Sequence, residues 1–195
     1  MTKNNDKKRI VVAVTGASGT VYGIRLIEAL CGLGHEVAVV LSDAGSAVMR
    51  HECVDAPDFE RLGVARYGDN DIGAPIASGS YRIDGMVICP CTMATLSAVA
   101  CGRATNLTHR AADVALKEGR RLILVPRETP LNRIHIQNML TAHDAGAVIM
   151  PAMPPFYGNP KSLHDLISHM VGKILDRLDI DNPLAARWEG GGGEE

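Results

Sequence analysis

Arg127 and Glu128 stand side by side just past the apolar run Leu122–Val125 and Pro126. A guanidinium holds phosphate in a planar fork and a carboxyl gives or takes a proton, so the pair suits proton transfer on an anionic substrate. A second candidate, Thr15-Gly16-Ala17-Ser18-Gly19, follows the apolar run Ile10–Val14 and precedes a stretch with Val21, Ile24, Leu26, Ile27 and Leu30 on one helical face. Ser18 is expected to cap that helix. Unpaired N–H groups and the helix dipole would then point at one spot, and a phosphate is the expected guest. The glycines fall at 16, 19 and 23, so the dinucleotide fingerprint G-x-G-x-x-G is not met. A tight turn with close helix–sheet packing and no ligand explains the same residues.

Asn106 to Glu118 predicts a helix with Arg110, Asp113 and Lys117 at i, i+3 and i+7, which puts two cations on one stripe about 10 Å apart. From spacing alone, a solvated face with an Asp113–Lys117 pair is the simpler reading. Cys89-Pro90-Cys91 lacks the spacing of a zinc site, and no metal is expected. His164 and His169 are not spaced i, i+4, and both are expected to be exposed helix residues.

Composition narrows the partners. The 195 residues carry 20 Lys+Arg against 22 Asp+Glu, a formal charge of −2, so no global field favours nucleic acid or an acidic membrane. No apolar run is long enough to span a bilayer, and Met1 to Lys8 lacks the apolar core of a signal peptide. Five cysteines, mostly in apolar segments, read as reduced thiols. A cytoplasmic protein is expected.

The elements that must position these residues alternate. Buried-type strands are predicted at Ile10–Val14, His35–Leu41, Asp84–Cys89, Arg121–Val125 and Ala147–Met150. Helices are predicted after Ser18, at Ala44–Cys53, after Thr92 up to Gly102, at Asn106–Glu118, at Leu131–His143 with Ile134, Met139 and Leu140 inward, and from Ser162 to about Leu178. Asp55 to Tyr81 reads as irregular, with a short strand near Val64–Tyr67, and as interface material. Residues 1–8 and 189–195 read as disordered tails of a single domain. The alternation predicts an α/β, Rossmann-like (flavodoxin-like), doubly wound parallel sheet in three layers, with ligands at the carboxyl ends of its strands.

Five stretches together resemble the UbiX-type flavin prenyltransferase family: Thr15–Gly19, Ile88-Cys-Pro-Cys-Thr-Met-Ala-Thr-Leu96, Arg110–Glu118, Leu124-Val-Pro-Arg-Glu-Thr-Pro130 and Pro151-Ala-Met-Pro-Pro-Phe-Tyr157. The likeness runs from about Ile10 to Trp188. It implies an enzyme that joins a dimethylallyl group from dimethylallyl monophosphate to N5 and C6 of reduced FMN without a metal, making prenylated FMN for a UbiD-type decarboxylase. By the same likeness Gly16, Ala17, Ser18, Ser42, Thr92, Met93, Ala94, Thr95 and Arg127 would hold FMN, with Ser18 beside N5. Arg110, Lys117, Glu128, Tyr157 and Lys173 would surround the prenyl phosphate, and Ser18, Glu128, Lys117 and Glu52 would be catalytic. Thr92 stands where many members have Ser, and Lys173 where some have Arg. A homo-oligomer, a dodecamer, with sites shared between subunits is implied as well.

Three other readings share parts of this pattern. A flavin-dependent cysteine decarboxylase would need an Asn-containing motif where this chain has Met150–Tyr157. A short-chain dehydrogenase would need Tyr157 and Lys161 one turn apart on a helix, which Gly158 and Pro160 oppose. A non-catalytic flavin carrier for a partner decarboxylase would use the same pocket.

Overall fold

The computed structural model describes residues 6–184, apart from 53 and 56. Residues 1–5, Trp188 and the acidic stretch Glu189–Glu195 lie outside that range. Strands β1 (Arg9–Val14), β2 (Glu36–Leu41), β3 (Ala65–Gly68), β4 (Gly85–Cys91), β5 (Arg121–Pro126) and β6 (Val148–Ile149) form one parallel sheet. Their order is β3-β2-β1-β4-β5-β6.

The absence of polar alternation in the strands has a simple cause. Ile10, Val12 and Val14 of β1 face one layer of helices while Val11 and Ala13 face the other, and all five are buried. Helices α1 (Thr20–Gly32), α2 (Asp43–His51) and α6 (Leu163–Arg177) supply the first layer. Helices α3 (Met93–Ala100), α4 (Leu107–Lys117) and α5 (Arg133–Asp144), with a 3-10 turn at Pro75–Ala77, supply the second. No helix among the described residues is long and apolar enough to cross a membrane.

Four local expectations are corrected. Helix α5 turns Ile134 and Leu140 outward, 68% and 52% exposed, and buries only Ala142. It stands over the two-residue edge strand β6, where there is little sheet to cover. His169 is buried, with its ring edge-on to Tyr157, while His164 is exposed. Asp113 pairs with Arg110 at 2.8 Å and Lys117 pairs with Glu118, so both members of the expected pair are engaged elsewhere. Strand β4 does not stop at Cys89 but continues through Pro90 to Cys91, with the register shifting between Ile88 and Cys91. Cys89 and Cys91 consequently face opposite helix layers and cannot share a ligand. Burial pushes the Cys91 thiol up to about 12.

The irregular segment has a structural task. Asp69, just past β3, accepts from Thr108 N (3.0 Å), Thr108 Oγ1 (2.6 Å) and Asn106 Nδ2 (2.7 Å), which fixes the start of α4. Lys8, inside the polar N-terminal stretch, donates to the Leu178 and Asp179 carbonyls.

Helix α1 crosses the sheet tightly at Gly23. A Cβ there would strike the Cys89 carbonyl and lie 3.0 Å from Val14 Cγ2. Gly23→Ala is expected to cost about 3 kcal/mol by overpacking, measured as a lower urea midpoint. A variant as stable as the parent would mean that α1 can lift off the sheet freely.

Candidate active site

Because every strand is parallel, the segments that follow them emerge along one edge. The chain turns outward in both directions from β1 and β4, so the crevice between those two strand ends is the topological switch point where ligands bind in such sheets. Thr15 spans it. Its buried hydroxyl donates to the Pro90 carbonyl at 2.7 Å and accepts from Thr92 N at 3.0 Å. The irregular register of β4 leaves that carbonyl free for the purpose. Sequence reasoning quoted Thr15 as part of a loop but did not select it; a lone hydroxyl closing an apolar strand was the available signal.

The start of α1 departs from expectation. Its N-cap is Gly19, with φ 93°, and Ser18 does not cap it. A left-handed φ at this place suits glycine. The anion expected there is supplied by the chain itself. Glu52, just past α2, accepts from Gly19 N at 2.7 Å, Thr20 N at 3.0 Å and Thr20 Oγ1 at 2.7 Å. Burial works to raise the Glu52 pKa, but hydrogen bonds from Ser18, Thr20 and Gly19 prevail and hold it below the usual carboxylate value.

Two further helix starts at this edge carry hydroxyl caps, Thr92 at α3 as expected and Ser42 at α2, which the sequence did not single out as a cap. Ser42 accepts from Gly45 N and donates to the Val14 carbonyl. Thr92 accepts from Thr95 N at 3.1 Å and donates to Thr95 Oγ1 at 3.0 Å. Glu128 is exposed past the end of β5, beside a cavity of about 240 Å³ lined by Arg127, Leu131, Met139 and Met153.

One chain does not bring the candidate phosphate ligands together. Arg110 and Lys117 lie on α4, on one side of the sheet, and Lys173 lies on α6, on the other. Lys117 ends α4 just before β5 begins, whereas Glu128 follows its far end, a strand length of about 20 Å away. Arg110 holds the Ala77 carbonyl and Asp113. Tyr157 lies 3.4 Å from His169 Nε2, one helical turn from Lys173. Burial, then Lys173, lowers the His169 pKa. Residues 157–161 precede α6 rather than forming part of a helix, so Tyr157 and Lys161 do not form a dehydrogenase pair.

The Flavoprotein family model matches residues 1–175. The chain is 47% identical over 188 residues to the flavin prenyltransferase UbiX of Halalkalibacterium halodurans, covering 91% of each. The chain belongs to the UbiX-type flavin prenyltransferase family. The structure of AnUbiX (PadA1) in complex with FMN and dimethylallyl pyrophosphate is 45% identical, with TM-score 0.91 over 95% of this chain and 99% of that one. A dodecameric FMN-dependent UbiX-like decarboxylase from Escherichia coli O157:H7 is 40% identical, with TM-score 0.89 over 93% of this chain and 100% of that one.

The residues at the switch point fit the flavin mononucleotide of a UbiX-type protein. The N–H groups of Met93 and Ala94 have no acceptor among the described residues, and Arg127 Nε is buried without a partner. A phosphate is the kind of group that would suit either. Gly16, Ala17 and exposed Ser18 flank this place across the Thr15 bridge. Thr15→Val retains the volume and removes both hydroxyl bonds. It is expected to lose roughly 1–3 kcal/mol in urea unfolding and to weaken FMN binding, followed by flavin fluorescence, while Thr15→Ser retains both properties. Unchanged binding and stability in Thr15→Val would remove the bridge from the site.

Proposed function

We propose that this protein prenylates reduced FMN, joining a dimethylallyl group from dimethylallyl monophosphate to N5 and C6 and handing the product to a UbiD-type decarboxylase. The observation that carries the reading is the buried Arg127 Nε without a hydrogen-bond partner, on the residue after Pro126, which pairs with Cys91 just before the start of α3. We assign Gly16, Ala17, Ser18, Ser42, Thr92, Met93, Ala94, Thr95 and Arg127 to the flavin. The four free thiols among the described residues suit a reducing compartment, and we place the protein in the cytoplasm.

Bound reduced flavin supplies the electron pair that receives the allylic carbon. The protein's part is electrostatic. As the allylic C–O bond breaks, its electron pair leaves with the phosphate, and Arg110, Lys117 and Lys173 stabilise that growing negative charge. The Tyr157 hydroxyl adds a hydrogen bond. Glu128, exposed and uncrowded, transfers the proton in ring closure. Glu52 fixes the direction of the Ser18 hydroxyl on the flavin side.

The division of these groups between the two faces of the sheet requires that copies of the chain complete each other's sites. The outward apolar face of α5 is suitable contact material. The dodecameric relative supports the same assembly.

Anaerobic incubation with reduced FMN and dimethylallyl monophosphate is expected to give a flavin heavier by one prenyl unit in mass spectrometry. Flavin that is bound but unmodified would instead support a carrier. Shared sites make a separate prediction. Lys117→Ala and Tyr157→Phe are each expected to lose most activity, and oligomers reassembled from an equal mixture to regain roughly a quarter of it, since half of each contribution is intact. No recovery would place both groups in the same chain's site.

A further inference from the structure

The strand order β3-β2-β1-β4-β5-β6 is one on which dinucleotides bind, with the pyrophosphate at the start of the helix after β1. In this chain that place is taken. Glu52 reaches from the end of α2 to the start of α1, and its carboxylate accepts from both N–H groups there and from the Thr20 hydroxyl, all at 2.7–3.0 Å. Ser18 is a fourth donor. These are the donors that a pyrophosphate would use.

We propose that Glu52 is a built-in anion that closes the dinucleotide position, so that the crevice selects a mononucleotide. A second anion would find its donors already engaged and a like charge in their place. Among the described residues, donors that do stay open at this edge include the N–H groups of Met93 and Ala94 at the start of α3 and of Asp43 and Ala44 at the start of α2, with Arg127 Nε. The choice of FMN as the mononucleotide rests on the flavin reading above, whereas the closure at α1 rests on the hydrogen bonds alone.

The test compares the flavin-free parent with Glu52→Ala. ADP-ribose, which carries a dinucleotide's pyrophosphate without a redox ring, is titrated by calorimetry, and FMN is titrated into the parent alongside. Glu52→Ala is expected to bind ADP-ribose roughly tenfold or more tightly than the parent does. Acetate, which replaces the missing carboxylate, is expected to raise the melting temperature of the variant and not of the parent. Equal ADP-ribose affinities, or the same acetate response in both proteins, would overturn the proposal. If Glu52→Ala does not fold, its refolding decides: recovery in acetate but not in chloride supports the closed slot, and failure in both overturns it. A parent that binds ADP-ribose weakly and FMN not at all would sink the flavin reading and leave the closure standing.

Discussion

A parallel sheet must be covered on both faces, because each crossover carries its helix to one side and no edge of a hairpin is available to stay in water. In this chain that requirement places α1, α2 and α6 on one side and α3, α4 and α5 on the other. It also places every strand's carboxyl end along one edge, which is why residues as far apart in sequence as Gly16, Thr92 and Arg127 come to the same edge. The same requirement separates Arg110 and Lys117 from Lys173 and Tyr157. No rotamer change bridges a packed sheet, so the separation is a property of the fold.

Three helices begin at the crevice edge, and one start differs from the other two. Glu52 satisfies α1 with a full negative charge, whereas Ser42 and Thr92 cap α2 and α3 alike, each hydroxyl taking one N–H. Helix starts attract anions equally in principle, so the start that carries its own carboxylate is the one closed to another anion. The Thr15 bridge ties the α3 turn to the end of β1.

Strands β1, β2, β4 and β5 were legible in the sequence because burial on both faces leaves their interiors without polar residues, whereas β3, Ala65–Gly68, is mostly exposed and reads weakly. The helix starts at Thr92 and Ser162 were legible for a local reason: each hydroxyl acts within three residues of itself. What failed was non-local. Ser18 sits where a cap belongs, but a carboxylate 34 positions later took the role, and nothing in the loop signals it. His169 carries no mark of burial, since its partner Tyr157 comes from a proline-rich turn whose path sequence does not specify. The prenyl-phosphate residues could be named by likeness, but their division between two faces became visible only with the topology.

Helix α5 joins these observations. Its apolar residues obey helical spacing, which is why Ile134 and Leu140 read as core, yet the sheet beneath has shrunk to two residues of β6. Apolar side chains left outside a core are stabilised by covering from elsewhere. On the proposed reading another copy of the chain would cover this face and bring the missing cations as well, since one chain does not gather Arg110, Lys117 and Lys173. Assembly and catalysis would then depend on the same burial. A substitution that made α5 polar would weaken the assembly and, with it, the proposed stabilisation of the departing phosphate. Under that reading, stability of the oligomer would be part of transition-state stabilisation.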